Sequence, residues 1–206
     1  MARNYETKCK LCRREGDKLF LKGDRCYSRK CPIDKKKFIK SRNSKLSDYG
    51  LQLREKQKIK RYYGVLERQF RVYFARALKI RQGLTGENLL TLLESRLDNA
   101  IFRMNLAKSR NQARQFVLHG MFAVNGQKIN IPSYNVKPND VITFTSHGEK
   151  NKELLSIVEQ NKETKPDVEW LTFDFDKKEG KILRLPLRRD IPQNFNEQLV
   201  VEFYSK

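Results

Sequence analysis

The chain has 206 residues, of which 44 are Lys or Arg and 24 are Asp or Glu, and its formal net charge at pH 7 is +20. Only 38% of the residues are apolar, no apolar run approaches the ~18 residues that a membrane helix needs, and no apolar stretch near the start has the form of a secretory signal. These features argue against a membrane-spanning protein and predict one or two domains that bind a polyanion.

The positive charge is concentrated in the first part of the chain. Residues 1–81 contain 26 Lys and Arg against 8 Asp and Glu, a net +18, whereas residues 82–206 have a net charge of +2. A disordered basic arm is the alternative to a folded surface, but disordered charged segments are poor in aromatic residues. Here Phe and Tyr alternate with the charges throughout, which favours a folded surface for a nucleic acid.

All four cysteines lie near the start, as Cys9-x-x-Cys12 and, after thirteen further residues, Cys26-x-x-x-x-Cys31. Two close pairs allow two short turns to supply two thiolates each to a tetrahedral zinc ion. A four-thiolate iron–sulfur cluster is a minor alternative, as are two disulfides or no metal. The zinc would be structural, because four protein ligands leave no open position and residues 1–40 are too poor in large apolar side chains to build a core.

Basic side chains surround these cysteines and continue beyond them. A metal-centred knuckle would present the nearer ones as one rigid surface, and the later ones form a basic arm. The predicted RNA contacts in this part of the chain are Arg13, Arg14, Lys22, Arg25, Lys35, Lys36, Lys37, Arg42 and Lys45.

Two basic helices are predicted next, over residues 51–63 before Gly64 and over residues 66–81 before Gly83. The second has an apolar face and, opposite it, a face that is positive apart from Glu67. Ordinary solvated faces mix both signs, so we interpret this one as a phosphate-binding face. The predicted contacts on the two helices are Arg54, Lys56, Lys58, Arg61, Arg68, Arg71 and Arg76.

A small α+β module follows. A helix opens at Thr85, and Ser109 with Gln112 has the capping-box form of another helix start. Asn125-Gly126 predicts a hairpin turn, and a turn at residues 136–140 precedes a strand over residues 141–144. Cations cluster around the second helix start, where exposed amides suit a phosphate. The predicted contacts are Arg96, Lys108, Ser109, Arg110 and Arg114.

Several motifs of this module resemble the RNA-binding module named after small-subunit ribosomal protein four, which also occurs in pseudouridine synthases and some aminoacyl-tRNA synthetases. They are Glu94–Asp98, Ala107–Arg114, His119-Gly120, Val124–Gly126 and Val136–Asp140. The rest of the chain is similar to the bacterial small-subunit ribosomal protein four family itself, in its zinc-knuckle-bearing form. The segments that carry this similarity are Leu46–Lys58, Tyr63–Arg71 and Leu199–Lys206, together with the four cysteines.

The resemblance implies an α+β fold in three parts. A zinc knuckle and basic arm would occupy residues 1–45. A helical rRNA-binding domain would combine residues 46–92 with 186–206. The RNA-binding module with antiparallel strands would be inserted as residues 93–185, with a core at about 94–145 and a hairpin extension.

The resemblance also implies a structural constituent of the small subunit of cytoplasmic ribosomes. Such a protein binds small-subunit rRNA directly, nucleates assembly of the subunit and contributes to decoding accuracy. The implied partners are small-subunit ribosomal protein five, neighbouring ribosomal proteins and messenger RNA where it enters the ribosome. For that path the candidates are Arg42 and Lys45.

An enzyme is not expected, because the sequence lacks the common nucleotide-binding and zinc-protease motifs and has only two histidines. The carboxylates Glu94 and Asp98 suggest local pairing with Arg96 or a cap, and Asp174 and Asp176 suggest a solvated strand edge. The alternatives are an RNA-modifying or tRNA-charging enzyme that uses the same module, and a zinc-dependent DNA-binding regulator. The role of the hairpin predicted at residues 170–182 is left open.

Overall fold

The computed structural model describes residues 6–34, 47–162, 164, 166, 168–191 and 194–205. The chain divides into two compact units, the first comprising Met1–Leu90 with Gln193–Lys206 and the second Thr91–Pro192. The helices are α1 Lys8–Glu15, α2 Asp24–Tyr27, α3 Asp48–Tyr62, α4 Glu67–Lys79, α5 Thr85–Glu94, α6 Leu97–Arg103, α7 Arg110–Leu118, α8 Ser146–Glu149, α9 Lys152–Gln160 and α10 Glu197–Tyr204. The strands are β1 Phe122–Val124, β2 Gln127–Lys128, β3 Val141–Phe144, β4 Leu171–Asp174 and β5 Glu179–Ile182.

The first unit is helical, and its core is rich in aromatic side chains. Helix α10 returns from the far end of the chain to lie beside α3, where the Gln52 amide donates to the Glu202 carboxylate at 3.1 Å. The Tyr204 ring stacks on Phe74 with a centroid distance of 4.5 Å. Tyr62 meets Phe195 edge to face at 5.1 Å. Segments more than a hundred residues apart therefore share one core.

The second unit is an antiparallel sheet covered by helices. Its five strands lie in the order β2-β1-β3-β5-β4. The hairpin β4–β5 is not a separate appendage, because β5 pairs with β3 and sets Ile142 opposite Gly180. The buried core lies between the sheet and the helices, and it includes Trp170, Phe122, Leu97, Ile101 and Leu154.

Most of the elements expected from the sequence are present. The helix predicted over 51–63 begins earlier, at Asp48, because the Ser47 hydroxyl caps it by accepting from the Gly50 amide at 3.2 Å. The hairpin at Asn125 and the strand at residues 141–144 are confirmed. The later hairpin is also confirmed, with alternating burial along β4. Helices α8 and α9 were not foreseen.

The expected fold class of mixed helix and antiparallel strand is confirmed, and the sheet-containing second unit is inserted in the chain between the two parts of the helical first unit.

Gly148 provides a test of the packing in the second unit. A Cβ atom at this position would lie 2.3 Å from the carbonyl oxygen of Met121, and a backbone oxygen cannot move aside as a flexible side chain can. We expect Gly148→Ala to lower the free energy of unfolding by about 1–3 kcal/mol, measured by urea denaturation. The exposed neighbour Ser146→Ala is the control and should change it by less than about 0.5 kcal/mol. Equal stability of the two variants would contradict this packing.

Candidate nucleic-acid interface

The four cysteines come from three short pieces of chain and line one small cavity. Cys9 and Cys12 lie one turn apart in α1, Cys26 lies in α2, and Cys31 follows in the next turn. All four are free thiols, so the disulfide alternative is not what the structure contains. The cavity brings together the donor set that the sequence predicted for a metal.

The electrostatics of these thiols would favour a bound cation. Burial raises the pKa of Cys12 and of Cys26, and the nearby cysteines raise it further because thiolates repel one another. Across the described residues, no group of three or more His, Cys, Asp or Glu side chains is arranged to hold a metal ion. The donor identities therefore fit zinc, while the zinc site itself stays a prediction.

The basic residues of the cysteine segment lie on its surface. The side chains of Arg13, Arg14, Lys22 and Arg25 are exposed. The other predicted contacts of this region, Lys35, Lys36, Lys37, Arg42 and Lys45, lie outside the described residues.

The cations of α3 have internal partners. Glu15, at the end of α1, accepts from Arg61 and, at 3.4 Å, from Arg54. Burial and the charge of Arg14 lower the pKa of both guanidinium groups, which nevertheless stay charged. Lys58 pairs with Asp17 at 2.6 Å. The sequence missed these contacts, because the partners are 39 to 46 residues apart in the Glu15 pairs and no local spacing signals them.

Glu67, at the start of α4, is the second internal anchor. Its two oxygens accept from Lys56 at 2.7 Å and Lys60 at 2.8 Å, and the Tyr204 hydroxyl donates to it at 3.3 Å. Burial alone would raise the pKa of Glu67, but the two lysines outweigh it and lower the pKa to about 2. Burial, followed by the charge of Glu67, raises the pKa of Tyr204. This cluster joins α3, α4 and α10.

The outer face of α4 is an open basic surface. Arg68, Arg71, Arg76 and Lys79 are exposed, and the Arg71 side chain is 70% accessible despite a long 3.8 Å contact with Glu67. The opposite face is buried through Phe70, Tyr73, Phe74 and Ala77. The 3.6-residue period of the sequence thus separates the two faces as expected.

In the second unit, Asp98 holds two of the predicted cations. Arg96 makes a two-pronged contact with it, at 3.0 and 2.6 Å, and Arg114 approaches its second oxygen at 3.3 Å. Arg110 is also buried, where it donates to the Asn99 side chain at 2.7 Å and lies over the Phe102 ring at 4.4 Å. The expected local pairing of Asp98 with Arg96 is confirmed.

The start of α7 is half-buried, with Lys108 exposed beside it. The Ser109 hydroxyl accepts from the Gln112 amide at 3.3 Å, so Ser109 caps the helix as predicted. The Gln112 side chain accepts instead from the backbone of Lys108 at 2.7 Å, one residue before the cap. Lys108 is exposed there. A buried pair of Arg103 with Glu94 was not foreseen, because the sequence shows Arg103 only as one more charge on a helix.

The fold and its surface together define an α+β protein with a basic helical unit and a compact sheet module. A family model described as "Ribosomal protein S4/S9 N-terminal domain" matches residues 3–94, and one described as "S4 domain" matches residues 95–142. Proteins named small ribosomal subunit protein uS4 from Halothermothrix orenii and Clostridium tetani are 50% and 51% identical to the chain. One named uS4A from Alkaliphilus oremlandii is 52% identical. Each alignment covers 100% of both proteins.

The chain belongs to the ribosomal protein S4 family. This is a family of structural proteins of the ribosome, so the prediction that the chain is not an enzyme is confirmed. The described helices include none that is both long and apolar enough to span a membrane.

The Glu67 cluster makes stability depend on pH. Since the pKa of Glu67 is lowered from 4.5 to about 2, its stabilisation is complete above about pH 4.5 and is lost as the pH falls toward 2. We expect the free energy of unfolding to fall by about 1–2 kcal/mol more in the wild type than in Glu67→Gln between pH 5 and 2, after allowing for solvent at a partly exposed side chain. Urea denaturation at each pH measures this.

The exposed carboxylate Asp48, in the same unit, supplies the control. Asp48→Asn should keep the pH profile of the wild type. If Glu67→Gln keeps that profile as well, the cluster does not hold the carboxylate as described.

Proposed function

We propose that the protein is a structural component of the small ribosomal subunit that binds small-subunit rRNA directly. Its support is the similarity over 100% of its length to proteins named for that subunit, together with the S4 domain at residues 95–142. Its place would then be the cytoplasmic ribosome, where its partners are rRNA and neighbouring ribosomal proteins.

One observation in particular supports the proposed contact with rRNA. The cations of α4 project from a face whose opposite side is fully committed to the core, so they are held on a rigid helix and remain open to phosphate. Arg68, Arg71 and Arg76 are therefore the first candidates for the rRNA backbone. Lys108 and the capped start of α7 form a second candidate point of contact, since helix starts favour phosphate.

The remaining predicted contacts on the helices are proposed with an indirect role. The side chains of Arg96, Arg110 and Arg114 bond to Asp98 and Asn99. They would support the surface near α7 and would not themselves contact phosphates. The finer roles implied by the family resemblance are proposals too. They are nucleation of subunit assembly, a contribution to decoding accuracy, contact with small-subunit protein five, and a path for messenger RNA along Arg42 and Lys45.

We further propose that Cys9, Cys12, Cys26 and Cys31 hold one structural zinc ion and that residues 1–45 form a knuckle and basic arm. The shared cavity and the raised pKa of two buried thiols support this, because a divalent cation would relieve the repulsion among thiolates. A bound zinc would contribute folding energy to a segment with few buried apolar side chains. An iron–sulfur cluster is the alternative with the same donors.

The division into two compact units supports the domain organisation that we propose, a helical domain completed by the returning C-terminal segment and interrupted by the RNA-binding module. The bounds proposed for it are residues 46–92 with 186–206 around an insertion of 93–185.

Binding assays test the proposed rRNA contact. We expect the full chain to bind small-subunit rRNA more tightly than unrelated RNA or duplex DNA of equal length at the same salt. If six to ten phosphates are contacted, affinity should drop by about 10³–10⁵ between 50 and 200 mM salt. Equal affinity for all three nucleic acids would contradict the ribosomal proposal, and a preference for duplex DNA would favour a DNA-binding regulator.

A variant pair localises the contact. The steepness of the salt dependence is the slope of log affinity for RNA against log salt concentration. Arg68→Gln with Arg71→Gln should lower this slope by about 1 per lost phosphate contact. Lys177→Gln, an exposed lysine in the β4–β5 hairpin, is the matched control and should leave it unchanged.

Metal analysis of the purified full chain tests the zinc proposal. We expect one zinc ion per chain, lost in Cys9→Ser with Cys12→Ser and kept in the control Ser28→Ala of the same segment. Iron with a visible absorption band would indicate the cluster instead. A wild-type chain without metal, after purification with zinc present, would contradict both.

A further inference from the structure

Helix α1 ends in an acidic turn, Glu15-Gly16-Asp17, that contacts α3. Gly16 ends α1 in the left-handed conformation, with φ 75°, and its amide donates to the carbonyl oxygen of Cys12 at 2.9 Å. This turn directs the Glu15 carboxylate onto Arg61 and Arg54, and the Asp17 carboxylate onto Lys58 at 2.6 Å. Two carboxylates therefore contact three cations.

The three cations form one stripe of α3. Arg54, Lys58 and Arg61 are spaced i, i+4 and i+7, which places them on the same helical face. A stripe of cations on one helical face is a pattern that suits a phosphate backbone. In the folded protein, carboxylate oxygens occupy the positions that phosphate oxygens would need.

Most of the stripe is buried as well as paired. The Glu15 side chain is 1% accessible, Arg61 9% and Lys58 12%, whereas Arg54 is 27% accessible. Lys58 also donates to the carbonyl oxygen of Asn194 at 2.9 Å, on the segment that leads to α10. A phosphate could reach Lys58 and Arg61 only by displacing the acidic turn, whereas the Arg71 side chain on α4 is open to solvent.

Masking of this kind affects specificity. Attraction between cations and phosphates supplies essentially all of non-specific binding, whereas specific binding also uses shape and base contacts. Three further open cations would strengthen binding to any polyanion. The difference in affinity between the correct RNA and other polyanions would then become smaller. With a net charge of +20, the protein attracts polyanions in general, and masking some of its cations reduces this non-specific attraction.

We propose that Glu15 and Asp17 are specificity-determining residues, which withhold Arg54, Lys58 and Arg61 from polyanions in general. This inference rests on the proposed RNA-binding function. It differs from a merely stabilising role for the turn, because it concerns how tightly the folded protein binds the wrong RNA.

Polyuridylate and small-subunit rRNA are the two probes for a test with the full chain. Glu15→Gln with Asp17→Asn should raise the steepness of the salt dependence on polyuridylate by about 2, since each of three phosphates adds roughly 0.7 on a single strand. Affinity for polyuridylate at 0.1 M salt should rise at least about tenfold. Affinity for rRNA should rise less, so the ratio between the two RNAs should fall.

Asp48→Asn with Glu149→Gln is the matched control, because it removes two exposed carboxylates and changes the net charge equally. It should leave the steepness of the salt dependence near the wild-type value. If it strengthens polyuridylate binding as much as the change in the acidic turn does, net charge and not masking is responsible, and the inference is overturned.

A second comparison decides the question even if the acidic-turn variant does not fold. Arg54→Gln with Arg61→Gln should leave the salt dependence on polyuridylate unchanged, because masked cations contribute nothing to it. Arg68→Gln with Arg71→Gln should lower it by about 1 to 2. An equal loss in both pairs would overturn the masking.

The wild type distinguishes failure of the proposed RNA-binding function from failure of the masking. A wild-type chain that does not prefer rRNA to polyuridylate would remove the proposed function itself. A wild-type chain that keeps this preference, with an acidic-turn variant that folds and binds polyuridylate as the wild type does, would overturn only the role of Glu15 and Asp17.

Discussion

Sharing of a few carboxylates among many cations is the constraint on which this structure depends. With a net charge of +20, the chain could not pack its basic helices together unless the charges that face inward were neutralised. Glu15, Glu67 and Asp98 each contact at least two cations. Each of these carboxylates lies where two elements of its unit or two turns of helix meet, so the same contact that removes repulsion also fixes local geometry.

The cations consequently fall into two populations with different chemistry. Those that pair closely with Glu15, Glu67 or Asp98, such as Arg61 and Arg96, are buried or half-buried and act as parts of the fold. Those without a close carboxylate on the outer face of α4, such as Arg68 and Arg76, are exposed. The paired cations hold the helices together, and the exposed cations are carried on that scaffold.

Patterns that depend on near neighbours predicted the fold well. The Asn125-Gly126 turn, the Ser109 cap and the two faces of α4 follow from spacings of one to four residues, and each was confirmed. Long-range pairings left no such mark. Nothing near residue 179 signals that β5 would pair with β3 and set Thr143 opposite Glu179. Likewise, the partner of Arg61 lies 46 residues away in the sequence, so no local spacing signals the pair.

The sequence by itself determined that the protein is basic, that the charge is concentrated before residue 82, and which family it resembles. Composition, motifs and helical periodicity are properties of the sequence that can be read without knowing which segments contact one another. Only the tertiary structure decided which cations remain open to a polyanion. That depends on where each carboxylate falls after the chain folds, and a carboxylate such as Glu15 reaches Arg54 and Arg61 across chain distances that no local pattern encodes.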